Sequence, residues 1–85
     1  MNRQEVINEF GSDRYGELVF HYLHDHVLIS AVGTANLSID YSMFTEISFS
    51  EEQELFRIGT KNQCTVFLHK NGGISTMILD YNLGK

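Results

Sequence analysis

From Glu17 to His69 the chain is cut into short runs in which apolar side chains recur at every second position, the spacing that gives a strand one apolar face. Leu18, Phe20 and Tyr22 alternate with Val19, His21 and Leu23, and Val27 to Val32 repeats the pattern. His24-Asp25-His26 between them is short enough for a tight hairpin turn, so the first two strands are expected to be antiparallel neighbours. After the turn Gly33-Thr34-Ala35-Asn36, Leu37, Ile39 and Tyr41 alternate with Ser38, Asp40 and Ser42, and Ile47 and Phe49 continue beyond Met43-Phe44. Ser50-Glu51-Glu52-Gln53 reads as a charged loop, and 55–60 and 63–69 read as two more strands around Lys61-Asn62. The expectation is therefore a mainly β (α+β) fold of about six strands, a curved antiparallel sheet or small open barrel.

The two ends read differently. Asn2 and Glu5 have capping-box spacing, and Val6, Ile7 and Phe10 share one helical face before Gly11, which predicts a short helix over residues 2–10. Gly11 to Gly16 reads as a loop. Lys70-Asn71-Gly72-Gly73 is the strongest turn signal in the chain. Beyond it Ile74, Met77, Ile78 and Tyr81 have helical spacing, while Met77, Leu79 and Tyr81 also fit one face of a strand; a short C-terminal helix over 74–83 is the expectation, with a strand as the alternative.

Composition enters where it excludes functions. The chain has 85 residues, 42% of them hydrophobic and 20% charged, as expected of one globular domain over 1–85. Eleven acidic residues against six basic ones give a net charge of −5, and Arg3, Arg14, Arg57, Lys61, Lys70 and Lys85 are spread along the chain. Such a surface favours neither nucleic acid nor an anionic membrane. The single Cys64, inside the apolar run Cys64-Thr65-Val66-Phe67-Leu68, is expected to be a buried reduced thiol, which points to the cytoplasm. No apolar stretch approaches the roughly 20 residues needed to cross a bilayer, and the first residues carry no signal-peptide core.

Few residues are placed for chemistry. His21, His24 and His26 with Asp25 are the one cluster of candidate metal ligands, but His21 and His24 would point to opposite faces of a strand and a fourth ligand has no source. A solvated turn is the better reading, and no cofactor is expected. Cys64 lies in apolar surroundings that suppress the thiolate, and Ser30, Ser38, Ser42 and Ser48 lack a nucleophile-elbow context. Glu46, Glu51, Glu52 and Glu54 concentrate negative charge around one loop, a candidate docking patch for a basic protein. Most of the aromatic residues fall in alternating strands, where core packing is their default use, and Tyr15 and Tyr81 are the two expected to be exposed.

Three segments carry a family resemblance: Phe20-His21-Tyr22-Leu23-His24-Asp25, then Ile39-Asp40-Tyr41-Ser42-Met43-Phe44-Thr45-Glu46-Ile47, then residues 60–72 around Lys61-Asn62-Gln63. Over about residues 18–73 the sequence resembles the soluble region of the YcxB-like bacterial proteins. The resemblance implies a pleckstrin-homology-like curved antiparallel sheet capped by a helix, and it supplies no catalytic residues. His69 stands where that family commonly has a proline, and the membrane segments often found ahead of the domain have no counterpart here. Pleckstrin-like domains that hold phosphoinositides place basic side chains at the first hairpin, where this chain has His24-Asp25-His26, so headgroup binding is not carried over.

The expected function is a non-enzymatic protein-interaction module. The alternative is an acidic inhibitor or immunity-type protein that neutralises a basic toxin or nuclease, and a third reading is a small metal-dependent enzyme on the His21/His24/His26 hairpin. Exposed sheet edges make a homodimer compatible with each of them.

Overall fold

Asn2 caps the first helix as its spacing with Glu5 predicts. The Asn2 side chain accepts a hydrogen bond from the Glu5 N–H while the Glu5 carboxylate accepts one from the Asn2 N–H, both at 2.8 Å. The helix α1 spans Arg3–Phe10 and ends on Gly11, whose left-handed φ of 82° lets its N–H reach the Ile7 carbonyl. Its inner face contributes Val6 and Phe10 to the core. Asn2→Ala should cost about 1 kcal/mol and lower the melting midpoint by roughly 4–8 °C. A thermal melt followed by circular dichroism checks this.

The computed structural model describes residues 1–31 and 36–78. After α1 come β1 (Arg14–Tyr15), β2 (Leu18–Tyr22), β3 (His26–Ala31) and β4 (Leu37–Asp40), a four-stranded antiparallel sheet in chain order. A single 3₁₀ turn, Tyr41–Met43, leads into β5 (Phe44–Ser50), β6 (Leu55–Thr60), β7 (Cys64–His69) and β8 (Ile74–Ile78), a second four-stranded antiparallel sheet in chain order. The mainly β expectation holds, as does the N-terminal helix. Where a curved sheet or small open barrel of about six strands is expected, the described residues form eight strands in two antiparallel sheets of four. The expected C-terminal helix is also corrected: residues 74–78 form β8, with Leu68 opposite Ile74 and Thr65 opposite Met77. The turn expected at Gly33-Thr34-Ala35 and the remainder of the 74–83 segment, including Tyr81, lie outside the described residues.

Both sheets turn their alternating apolar residues toward one core. Leu18, Phe20, Val27, Ile29 and Ile39 come from the first sheet, and Phe44, Phe56, Ile58, Val66 and Leu68 from the second. The register explains the alignment, since Phe20 lies opposite Ile29 and Phe56 opposite Leu68. Phe10 joins the layers, stacked on Phe20 at 4.5 Å between ring centroids and edge-on to Phe44 and Phe56. Each such fully buried side chain contributes about 1.5–3 kcal/mol relative to exposure.

The turn between β2 and β3 is tied to the rest of the fold through its carbonyls. The Arg3 guanidinium donates to the carbonyls of Leu23 and Tyr22, and the Tyr41 hydroxyl donates to Leu23 at 2.8 Å. Tyr22 in turn donates its hydroxyl to the Ser12 carbonyl at 2.6 Å. Burial, with Asp13 nearby, pushes the Tyr22 phenol from its ordinary 10.0 up to about 12. A raised folded value means the neutral phenol is favoured by folding. Its contribution is complete below pH 10 and is lost as pH rises through 12. Tyr22→Phe should therefore flatten this part of the alkaline stability profile, which denaturant titrations between pH 9 and 12 would measure.

Candidate functional site

Three turns meet at one end of the two-sheet body. The Glu17 N–H donates to the Lys70 carbonyl at 2.9 Å, and the Lys70 N–H donates to the Glu54 carbonyl at 3.0 Å. The β1–β2, β5–β6 and β7–β8 turns are thereby joined by backbone bonds. Gly16 is required at this junction, because its φ is +59° and a Cβ there would lie 2.2 Å from the Lys70 carbonyl oxygen.

An aromatic cleft of about 290 Å³ opens beside the junction, lined by Glu9, Phe10, Tyr15, Phe49 and Phe56. Tyr15 meets Phe49 and Phe56 edge-on at 5.5 and 5.2 Å, and Phe49 lies 4.9 Å from Phe56. Phe49 follows the inward alternation of Ile47 but sits near the end of an edge strand, and it remains 49% exposed. Tyr15, expected at the surface, is half-buried in this cluster.

Glu9 is the carboxylate in the lining of this cleft, and others lie on the neighbouring turns. Glu51, Glu52 and Glu54 are exposed on the β5–β6 turn, where the Gln53 N–H is held by the Ser50 hydroxyl at 3.1 Å. Glu54 takes a positive φ of 55° and pairs loosely with the Lys70 ammonium at 3.5 Å. Glu9 and Glu17 are exposed at the same end. Glu46 does not join them: it lies toward the opposite end of β5, opposite Gly59 and about 13 Å along the strand from Ser50. Sequence reading found the acidic turn and missed Glu9, Glu17, Tyr15 and Phe49, because only the folded chain brings them beside it.

The histidines are arranged otherwise. His21 and His26 share the outer face of the first sheet as diagonal neighbours, and His24 is exposed in the turn. The His26 Nδ1 lies 2.6 Å from the Asp25 carboxylate, and this hydrogen bond holds the Asp25 carboxyl below its ordinary value. Among the described residues no group of three His, Cys, Asp or Glu side chains is placed to hold a metal ion. Cys64, expected to be buried, is a half-buried free thiol at the first position of β7, with its Sγ turned toward the Thr65 carbonyl.

No helix among the described residues is long and apolar enough to cross a membrane. The fold and the aromatic, acidic end define the class: a small antiparallel β domain of two four-stranded sheets with an N-terminal helix. Comparison with protein-family models, with curated proteins and with solved structures gives no match.

Proposed function

We propose that the protein is a non-enzymatic protein-interaction module whose aromatic end docks a basic segment of a partner protein. The observation that carries this reading is the half-exposed Phe49, braced by Tyr15 and Phe56 in a cleft lined also by Glu9, on the strand that leads directly into the exposed Glu51–Glu54 turn. A rigid aromatic ring held partly in water costs little further ordering on binding. A lysine or arginine placed over such a ring gains a cation–π contact, and the surrounding carboxylates steer it there. The same end fits a basic toxin or nuclease, so an inhibitor of such a protein is the specialised form of this reading. Its net charge of −5 disfavours nucleic acid and anionic membranes as partners. The half-buried free thiol of Cys64 supports a reducing compartment such as the cytoplasm.

The relation to the YcxB-like soluble domain and its pleckstrin-like fold belongs to the same proposal. It is supported by the antiparallel meander and by where the shared segments fall. Tyr41-Ser42-Met43-Phe44 makes the passage between the sheets, and Lys61-Asn62-Gln63 makes the β6–β7 turn.

Affinity capture from host lysate at low and high salt, read by mass spectrometry, tests the function. A basic protein retained at low salt and released at high salt is the expected result. Retention of neutral or acidic proteins independent of salt would contradict it.

A further inference from the structure

Lysine and arginine are not equivalent guests for the aromatic cleft. Of the five residues that line it, Phe10, Tyr15, Phe49 and Phe56 are aromatic and the fifth is Glu9. The Glu9 carboxylate makes no hydrogen bond or ion pair with any described residue, whereas the Glu5 carboxylate is used in capping α1 and Glu54 pairs with Lys70. Glu9 also stands in the last turn of α1, which carries no basic residue. The negative end of a helix disfavours a carboxylate there and favours a cation. Arg14, the neighbour of Tyr15 in β1, does not supply one: it lies with Val19 and Ser30 beside a different depression.

The lining discriminates between the two basic side chains by their hydration. A lysine ammonium is compact and strongly hydrated, with three donors, and a single carboxylate among aromatic rings replaces little of the water it gives up. A guanidinium is planar and weakly hydrated, so one face can lie on an aromatic ring while two N–H groups fork onto one carboxylate. The rings are held for such a contact. Tyr15 stands nearly perpendicular to Phe49 and to Phe56, at 86° and 77°, and Phe49 is 49% exposed.

We infer that the cleft takes an arginine side chain of the partner, its guanidinium laid on Phe49 and forked onto Glu9, and that Glu9 sets the preference for arginine over lysine. The inference rests on the reading of this end as a dock for a basic segment, and it adds the identity of the anchor and a role for Glu9. Glu51, Glu52 and Glu54 are exposed on the neighbouring turn and attract either cation alike, so they set the rate of encounter and not the choice.

Two-dimensional NMR of the isotopically labelled full chain, titrated at constant ionic strength with Nα-acetyl-arginine amide and with Nα-acetyl-lysine amide, tests the assignment. The expected result is arginine-induced shifts at Glu9, Tyr15 and Phe49 that saturate in the millimolar range, with the lysine probe roughly fivefold weaker. Glu9→Gln should weaken the arginine probe about fivefold and leave the lysine probe within about twofold, while Glu51→Gln should leave the ratio of the two unchanged. Both positions are exposed, and the NMR spectra themselves show that each variant is folded. Lysine bound at the cleft as tightly as arginine overturns the anchor and leaves the docking of a basic segment standing. A preference for arginine that survives Glu9→Gln overturns the role of Glu9. Arginine shifts confined to other parts of the chain, or none up to about 50 mM, overturn the whole inference, and the lysate capture decides the docking reading separately.

Discussion

Phe10→Ala should destabilise the protein by about 3–5 kcal/mol, a large part of the roughly 4–13 kcal/mol available to a chain of this length. Phe10 is 6% exposed and holds α1 against both sheets through its contacts with Phe20, Phe44 and Phe56. Truncating it removes buried area and leaves a cavity that backbone fixed on three sides cannot close. The melting midpoint should fall by on the order of 15 °C or more. Phe49→Ala is the comparison that gives this number meaning. Phe49 belongs to the same aromatic group but is half in water, so its truncation should cost about 1 kcal/mol or less. Urea melts of both variants with unchanged slopes would measure the difference. Equal losses would make Phe49 a core residue and remove the aromatic from the proposed docking end.

The second large effect is on association. Replacing Glu51, Glu52 and Glu54 together by lysine changes the charge of the aromatic end by about six units. Binding of a basic partner should weaken about 100-fold, mostly through slower association, and lose its salt dependence. Phe49→Ala should weaken it roughly 30-fold through faster dissociation, as removal of a central anchor does. Glu46→Lys, about 13 Å away along β5, should change it less than about twofold. Surface plasmon resonance with the captured partner separates the rates.

Much of the fold was legible because the local signals agree with the tertiary structure. The Asn2–Glu5 pair marks the helix start, and the alternation at Leu18-Phe20, Val27-Ile29, Phe56-Ile58 and Val66-Leu68 marks strands whose inner residues form the core. What escaped has identifiable causes. β1 is two residues long, below the length at which any period can be seen. The passage between sheets was hidden because Leu37, Ile39 and Tyr41 alternate as one strand. The signal was a change of parity, since Tyr41 and Phe44 are both buried three residues apart, one turn of a 3₁₀ helix. At the C-terminus Ile74, Met77 and Ile78 satisfy the helical and the extended period alike, and pairing with β7 decides for the strand.

The candidate site was legible in part for a related reason. The acidic turn is contiguous in sequence, so Glu51, Glu52 and Glu54 stand out, and Glu46 appears to join them only when the chain is read as a line. Tyr15 and Phe49 are brought together from strands on different sheets. Alternation assigns Phe49 to the core. Its position near the end of an edge strand, which no local pattern encodes, leaves it half in solvent.

Parallel affinity capture from host lysate on matched, folded baits tests the docking end most directly: wild type, Phe49→Ala, Glu46→Lys, and the triple lysine variant of Glu51, Glu52 and Glu54, each read by quantitative mass spectrometry. The account predicts one basic protein retained by wild type and by Glu46→Lys and lost from the other two. Equal retention on all four baits, or loss confined to Glu46→Lys, would contradict it.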